Sequence, residues 1–410
     1  MNFPVDNYDY PSSWKISRIS DVADFTRGVS WRKVDEVPAG EGLLVISIPN
    51  IKNGWIDYES EFNHYLNKNI SEEKYLDIGD IVFVGSSGSA HNIGRNAQIT
   101  SLPNGHVAFA SFTFKAMPKL DNIDPGFFYF LVNSDIIPFA RFCKRAADGK
   151  FNFQLRDFIS RLKVPIPPLL EQRKIAYVLS TVQRAIEAQE QIIQTTTELK
   201  KSLMHKLFTE GTRGEPQKET EIGIIPESWE ICSIPDSLMK TRVGRQNQIP
   251  SREVAESGQY PVIDQGQSFV SGYTDASERL IDFDLPLIIF GDHTRCFKFV
   301  DFPFVIGADG VKVLKPNSEF FHPKYLYFSL AALDLPSRGY NRHFKALKER
   351  KIPKPSIAEQ RDIAGMIDVI EKRITMAGGK KVALNCLYRT FLHKLMTAKM
   401  RVHKVKLLTG

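Results

Sequence analysis

Residues 167 to 175 read PPLLEQRKI, and residues 355 to 363 read PSIAEQRDI. The two segments share the pattern Pro-x-x-x-Glu-Gln-Arg-x-Ile at an offset of 188 positions. Proline is favoured at the start of a helix, because an N–H at that position would have no partner within the helix. Each segment therefore predicts the beginning of a helix, and the recurrence of the pattern predicts an internal duplication.

The duplication extends over most of the chain. The offset of 188 continues without gaps to the His-Lys-Leu triplet at 393–395. Upstream, PSSWKI at 11–16 resembles PESWEI at 226–231, and IVFVG at 81–85 resembles LIIFG at 287–291. These offsets fall steadily along the chain from 215 to 206 and finally to 188, as expected if the second copy has shorter loops. The sequence therefore predicts two copies of one unit, each a globular part followed by a long helix.

Each globular part has the pattern of a mixed α and β fold. A proline opens a helix near Pro125, behind Asp124 as a possible cap, and another at Pro323. Asp309-Gly310 lies between alternating segments, which predicts a tight hairpin. We therefore predict an α+β fold in which strands come first and helices later. The apolar runs of strand length are 43–48, 81–85 and 107–117 in the first copy, and 260–263, 285–291 and 304–314 in the second.

The long helices are predicted from uninterrupted stretches with one apolar face. Residues 171–208 contain no proline or glycine, and as a single helix they would span about 57 Å. The apolar stripe is heptad-like, so the two helices are predicted to pair in an antiparallel, coiled-coil-like manner. The surplus width of the stripe fits helices from another protein or burial under the globular parts equally well. Gly378-Gly379 interrupts the second stretch, costs about 2 kcal/mol of helix propensity, and predicts a kink or close packing.

Composition and motifs limit the classes of function that the chain can have. The formal net charge is +7 and the pI about 9.0, so an anionic partner fits without being required. The four cysteines form no Cys-x-x-Cys pair, and no phosphate-binding loop, methyltransferase motif or metal-ligand spacing is present. We therefore expect no catalytic residue, cofactor or metal site in this chain. Because no secretory signal or 18-residue apolar run is found, we also expect a cytoplasmic protein.

Matching loops in the two copies are candidates for contact with nucleic acid. GSSGSAHNIGR at 85–95 follows a predicted strand, and GDHTRCFK at 291–298 follows its counterpart. Basic stretches with interleaved aromatic residues precede each long helix, at 141–153 and 337–351. Small residues let backbone amides approach phosphates, and Asn, His and Arg side chains can reach base edges. Solvated loops remain the alternative. The candidate DNA-binding residues are Ser86, Ser87, Ser89, His91, Asn92, Arg95, Lys144, Arg145, Lys150, Asn152, Arg242, Arg245, His293, Thr294, Arg295, Lys298, Arg338, Tyr340, Arg342, His343 and Lys345.

The combined pattern resembles the specificity (S) subunit of type I restriction–modification enzymes. The features that carry the resemblance are Pro-x-Ser-Trp at the start of each unit, and Pro-x-Pro-x-x-x-Glu-Gln-Arg-x-Ile before each long helix. The resemblance covers nearly the whole chain. It implies two target-recognition domains joined by two antiparallel helices in a pseudo-twofold repeat, each domain reading one half of a bipartite, asymmetric duplex DNA target.

The resemblance also implies partners. The helix pair would set the spacer between the half-sites and dock two modification (methyltransferase) subunits, which use S-adenosylmethionine. Restriction subunits, which hydrolyse ATP with Mg, would join that core, so the chain itself would hold no cofactor and catalyse nothing. Glu171, Gln172 and Arg173, with Glu359, Gln360 and Arg361, are predicted to seat the helices and meet the partner subunit.

The predicted segment boundaries follow the repeat. The predicted segments are recognition domain 1 at 1–165, the first helical arm at 166–211, recognition domain 2 at 212–353, the second arm at 354–400, and a basic tail at 401–410.

Two alternatives to a DNA-specificity subunit stay open at this point. One is a helix-mediated scaffold or decoy that binds proteins rather than DNA, and the other is a stand-alone nuclease or methyltransferase that would need a motif not found.

Overall fold

The computed structural model describes residues 4–241, 243–281, 283–307, 310–335 and 342–405. Its residues fall into two compact units. The first contains the chain up to Gln189 together with the chain from Lys380 onward, and the second runs from Glu190 to Gly379. Each long helix therefore contributes one half to each unit.

The first unit is built on a four-stranded antiparallel central sheet. A second, three-stranded sheet contains one parallel pair, and a two-stranded ribbon joins the start of the globular part to its end. The helices are α1 (Ile19–Val22), α2 (Pro125–Val132), α3 (Leu155–Arg161) and α4 (Leu169–Glu210), of which α4 continues into the second unit. In spatial order, the strands are Ala23–Arg27, Thr113–Pro118, Ile81–Val84 and Asn96–Gln98 in the central sheet, His64–Leu66, Leu43–Ile46 and Val107–Phe109 in the second sheet, and Lys15–Arg18 with Lys163–Ile166 in the ribbon.

The second unit repeats this plan. It has the same central sheet, a second sheet with parallel pairs, and a ribbon between the start and the end of its globular part. An added hairpin, Gln217–Thr220 with Gly223–Pro226, precedes them. Its helices are α5 (Pro323–Ala331), α6 (Phe344–Lys348) and α7 (Ile357–Met396), and α7 continues into the first unit. The remaining strands are Leu238–Met239, Val311–Pro316, Leu287–Gly291 and Phe297–Val300 in the central sheet, Gln248–Ile249, Val305–Gly307, Tyr260–Ile263 and Gly272–Thr274 in the second sheet, and Glu230–Ser233 with Lys351–Lys354 in the ribbon.

The apolar strand residues become the cores. In the first unit, stacked phenyl rings cross the central sheet, with ring centroids 4.9 Å apart for Phe83 and Phe114 and 5.1 Å for Phe114 and Phe153. Asp124 caps α2 by accepting a hydrogen bond from the backbone N–H of Phe127 at 2.9 Å, as the Asp-Pro pair predicted. The α+β duplication inferred from the drifting offsets is confirmed.

The ends of the long helices are buried in these cores. Ile175 and Leu179 of α4 lie in the first core, together with Leu392 and Leu395 of α7. Within the second unit, Lys200 on α4 forms an ion pair with Glu371 on α7 at 2.6 Å, and Thr212, just past the end of α4, bonds to Glu359. Position numbers thus rise along one helix while they fall along the other, which confirms antiparallel helices. Among the described residues, no helix is long and apolar enough to cross a membrane.

Two local predictions are contradicted, the hairpin at Asp309-Gly310 and the close packing at Gly378-Gly379, whereas a kink at the glycine pair stays a prediction. The hairpin at Asp309-Gly310 fails because the flanking strands, Val305–Gly307 and Val311–Pro316, pair within different sheets; Asp309 itself lies outside the described residues. Close packing at Gly378-Gly379 fails because a Cβ added at either glycine would meet no described atom within 4 Å. The helix α7 runs through both glycines as one element.

Candidate nucleic-acid interface and helix junctions

In the first unit, the two candidate segments meet in one small sheet. Strands Cys143–Arg145, Phe151–Phe153 and Ser86–Ser87 lie side by side, with both neighbouring pairs antiparallel. The register places Ser86, Asn152 and Lys144 in one row and Ser87, Phe151 and Arg145 in the next. We call this the recognition sheet. The Arg145 guanidinium lies 6.0 Å from the centre of the Phe151 ring, so a cation and an aromatic side chain share one row.

The cations of the recognition sheet are exposed, and the side chains that brace its loop are half-buried. The loop that follows Ser87 is braced by a short network in which the Asn92 amide donates to the Ser87 hydroxyl at 3.2 Å. Arg95 donates to the Asn92 amide oxygen at 3.2 Å and to the Ile48 carbonyl at 3.1 Å. Arg95 and Asn92 therefore shape the loop from within. Of the predicted contact residues in this unit, Ser89, His91, Lys144, Arg145 and Lys150 are exposed, Ser87, Asn92, Arg95 and Asn152 are half-buried, and Ser86 is buried.

The second unit brings the counterpart segments together in another way. Asp292, which directly follows a central strand, accepts hydrogen bonds at its carbonyl from the backbone N–H and the Nδ1 of His343, both at 2.9 Å. Its carboxylate accepts from the backbone N–H of Phe344 at 2.8 Å. The loop after the strand and the basic segment before the long helix are thus joined in both units. Arg245, Arg342 and Lys345 are exposed here, whereas Arg242, Arg338 and Tyr340 lie outside the described residues.

Several candidates of the second unit serve the fold. Lys298 is 4% exposed, and its ammonium donates to the carbonyls of Asp264 at 2.8 Å and Ser268 at 2.6 Å. Burial lowers the pKa of Lys298, and the Asp264 carboxylate opposes that shift. His343 is 2% exposed. In this conformation these two residues hold loops in place and present no charge to solvent, so their predicted DNA contact would be indirect.

The strand-following turn of the second unit is held in the same way. Thr294 donates its hydroxyl to the Gln265 carbonyl at 2.5 Å, and His293 donates its backbone N–H to the Gln265 side chain at 3.2 Å. Arg295 has a left-handed backbone with a φ of 62°, and its guanidinium donates to the Leu335 carbonyl at 2.6 Å. Arg295 is nevertheless exposed, so the remaining N–H groups of its guanidinium can face a ligand.

Glu171 and Gln172 form the junction between the globular part and α4. The Glu171 carboxylate accepts from the Trp14 indole at 3.1 Å and from Arg401, beyond the end of α7, at 2.6 and 3.0 Å. Buried Gln172 accepts from the backbone N–H of Asp124, the cap of α2, at 2.9 Å. Its amide donates to the carbonyls of Asn122 and Pro167. The two side chains thus fasten both long helices to the globular part.

The second junction repeats these contacts. Glu359 accepts from the Trp229 indole at 3.2 Å and from the backbone and hydroxyl of Thr212, both at 3.0 Å, and lies 3.6 Å from the Arg213 guanidinium. Gln360 accepts from the backbone N–H of His322, the cap of α5, at 2.8 Å. Arg213 and Arg401 are 188 positions apart, so each Glu meets the arginine that follows the other long helix. Sequence reasoning missed both arginines, although the offset would have found them.

The third residue of each triplet is different. Arg173 and Arg361 are exposed, so only they offer a charge to another molecule. Apolar side chains also remain exposed on the long helices. In the second unit, Met366, Val369 and Met376 lie within one face of α7, and Val369 is 68% exposed. The surplus apolar width that the sequence indicated is therefore partly buried and partly open to solvent.

The fold and both junctions define a class of internally repeated protein in which two α+β units share two long antiparallel helices. A family model for the type I restriction modification DNA specificity domain matches residues 11–198 and again residues 226–385. The chain belongs to this family, and it is a type I restriction–modification specificity subunit with two recognition domains.

Individual relatives agree. The chain is 25% identical over 416 residues to the putative type I restriction enzyme MjaX specificity subunit of Methanocaldococcus jannaschii, covering 96% of this chain and 95% of that protein. It is 28% identical over 181 residues to the EcoKI specificity subunit of Escherichia coli, over 43% of this chain and 38% of that protein. The crystal structure of the S subunit from M. genitalium aligns over 97% of this chain and 99% of its own with a TM-score of 0.62 and 15% identity. This likeness supports the fold.

Proposed function

We propose that each unit reads one half of a bipartite, asymmetric DNA target through the joined loop and basic segment described above. The observation that carries this proposal is that both units place exposed cations at the same position of a repeated scaffold. Exposed Lys144 and Arg145 in the first unit, and Arg342 and Lys345 in the second, suit contacts with phosphates, and the two arginines also suit contacts with guanine edges, which specify the base.

Different loops on one scaffold support an asymmetric target. The first unit uses a three-stranded sheet with a small polar loop, whereas the second uses a turn bonded directly to the segment before α6. A symmetric dimer reads two equal half-sites because its two surfaces are identical. Two unlike surfaces within one chain read unlike half-sites. The long helices, shared by both units, would set the length of the unspecific spacer.

Catalysis would belong to partner subunits. The proposed partners are two modification subunits that use S-adenosylmethionine, and restriction subunits that use ATP and Mg. The exposed face of α7, centred on Val369, suits a docking helix because apolar side chains at spacings of three and seven present one stripe. The chain would then supply sequence recognition and assembly, and no reacting group.

The test pairs matched variants of the two units. The double variants Lys144→Ala/Arg145→Ala and Arg342→Ala/Lys345→Ala are titrated against duplexes altered in either half of the target, at several salt concentrations. The target itself is mapped by sequencing methylated DNA from cells that carry the system. Each double variant is expected to lower affinity about tenfold or more and to reduce the salt dependence, since phosphate contacts release counterions.

The pattern across duplexes decides the assignment. Loss of a phosphate contact weakens binding to every duplex alike, whereas loss of a base contact by Arg145 or Arg342 weakens binding only to duplexes in which the half that this arginine reads is intact. Each double variant should therefore bind duplexes with the intact and the altered form of one half-site, the half that its unit reads, with similar affinity. It should still distinguish the two forms of the other half. The two variants should differ in which half this is. Equal losses on every duplex for both variants would contradict separate reading by the two units.

A further inference from the structure

A rigid turn in the first unit presents a phenyl ring to solvent. The turn joins strand Val107–Phe109 to strand Thr113–Pro118, and Phe112 at its tip is 58% exposed. The Thr113 backbone N–H and hydroxyl donate to the Ala110 carbonyl at 2.9 and 2.7 Å. Ser111 donates its N–H to the Val29 carbonyl at 2.8 Å. The backbone on both sides of the ring is therefore fixed.

Two glycines clamp this turn between neighbouring chain segments. A Cβ on Gly28 would lie 2.2 Å from the carbonyl oxygens of Phe109 and Ala110, which no side chain can occupy. On the other side, Gly85 donates its N–H to the Phe112 carbonyl at 2.9 Å, and its own Cβ would lie 3.1 Å from that oxygen. Close backbone approach of this kind needs glycine. The backbone that carries the ring is therefore held on both sides.

The ring stands beside the recognition sheet. Gly85 leads directly into Ser86–Ser87, and its carbonyl accepts the Phe153 backbone N–H at 2.8 Å. Arg27 donates to the Phe153 carbonyl at 3.4 Å and is exposed on the same edge. Lys144 and Arg145 are exposed on the recognition sheet, so the apolar tip lies beside a cationic sheet, a combination that suits DNA, whose phosphates flank apolar base surfaces.

The second unit has no equivalent tip among its described residues. Strand pairing there places Val311 opposite Gly291, the repeat counterpart of Gly85. Val311 is half-buried and packs against an apolar cluster of that unit. The exposed aromatic side chain is thus a property of one reading surface, and the shared scaffold does not require it.

We propose that Phe112 is a specificity-determining residue whose ring packs against the bases of the half-site read by the first unit. This inference rests on the proposed function, since it assumes that the unit reads DNA. Apolar side chains contribute to base readout by contacting thymine methyl groups or by inserting between base steps. Because the backbone of the turn is already fixed, burial of the ring against bases requires no ordering of the backbone on binding.

The experiment measures half-site discrimination by Phe112→Ala. Fluorescence anisotropy compares the full-length variant and wild type on duplexes with the mapped target intact, with either half scrambled, and with both halves scrambled. Phe112→Ala is expected to bind the intact target roughly ten- to a hundredfold more weakly. The loss should appear wherever one particular half is intact, and it should vanish where that half is scrambled. Phe112→Leu, which keeps an apolar contact, should lose less.

Ile78→Ala is the matched control. Ile78 is 72% exposed and precedes the strand Ile81–Val84, whose other end leads to Gly85. This variant should bind every duplex like wild type. Unchanged discrimination by Phe112→Ala, or an equal loss on all four duplexes, overturns the role of Phe112. Failure of the proposed function gives a different result, because wild type itself would then show no dependence on either half-site.

Discussion

At the scale of single residues, the Glu and Gln side chains of the repeated Glu-Gln-Arg triplet are largely buried, and the Arg side chains are exposed. Glu171 and Glu359 each bind an indole N–H and the segment that follows the other long helix. A buried carboxylate needs such partners, because an unpaired charge in the interior costs several kcal/mol. The recurrence of Trp, Glu and Gln in both copies thus has one physical cause, the closure of each globular part onto both helices.

Removing one buried carboxylate tests this closure. Glu359→Ala leaves the Trp229 indole and the Thr212 backbone N–H without their acceptor, and we expect the free energy of unfolding to fall by about 3 kcal/mol. Arg361→Ala, at an exposed position two residues later, should change it by less than about 0.5 kcal/mol. Urea denaturation followed by circular dichroism provides the measurement. Similar effects of the two substitutions would argue against a structural role for Glu359.

The sequence did not predict which candidate side chains would be buried and which would be exposed. The sequence marked Lys298 as a DNA contact because it ends a polar, cationic loop. The structure buries it, since Phe297–Val300 is a sheet strand and residue 298 falls on its inner face. Phe112 lay within an apolar strand run, and only the turn at Ala110–Thr113 turns it outward. Burial at a given position depends on contacts distant in sequence, which local patterns do not contain.

At the scale of elements, the long helices were the most predictable part of the chain. A proline start, an apolar stripe and a stretch free of breakers depend on local sequence alone, and α4 runs from Leu169 to Glu210 as expected. The hairpin at Asp309-Gly310 was predicted by the same local reasoning, but the described strands on either side of it do not pair with each other. Strand pairing distant in sequence prevents this hairpin, because the flanking strands join different sheets.

The glycine pair in α7 allows a direct test. Gly378→Ala/Gly379→Ala should raise the free energy of unfolding by about 2 kcal/mol, because alanine favours helix and both positions have free space. Gly365→Ala, on the same helix and equally open, should add about 1 kcal/mol as the matched control. Thermal melting of the full chain measures both. A destabilised double variant would show that the helix needs glycine at this position.

The exposed apolar face of α7 should be required for assembly. Val369→Asp places a charge in that face, and a buried, unpaired charge opposes docking, so we expect the modification subunit to be lost on co-purification. Thr375→Asp adds the same charge at an exposed position on another face of α7 and should leave assembly intact. Affinity of the isolated chain for DNA should be the same for both variants. Normal assembly of Val369→Asp would contradict docking through this face.

At the scale of the whole molecule, the helices that both units share should determine the spacer. Matched insertions of four residues after Gln189 and after Gly379 lengthen both helices by about one turn, or roughly 6 Å. Because DNA rises 3.4 Å per base pair, we expect the preferred spacer to grow by one or two base pairs. Methylation mapping of cells with the altered chain measures the spacer. Retention of the original spacer would exclude the helices as its determinant.

The duplication itself was visible in the sequence as steadily falling offsets. The two reading surfaces were not, because their loops share position and differ in residues and hydrogen bonds. Residues 86–87 join a three-stranded sheet in the first unit, while the corresponding loop of the second unit bonds through Asp292. A repeat therefore predicts where matching segments lie, and the tertiary contacts determine how each unit joins them.

The central claim is that one unit reads one half-site. It is tested most directly by exchanging residues 212–353 for the same segment of another specificity subunit and mapping methylated adenines across the genome. The account predicts that one half of the bipartite target changes while the other half is retained, and that exchange of residues 1–165 gives the reciprocal result. A target that changes in both halves, or in neither, would contradict it.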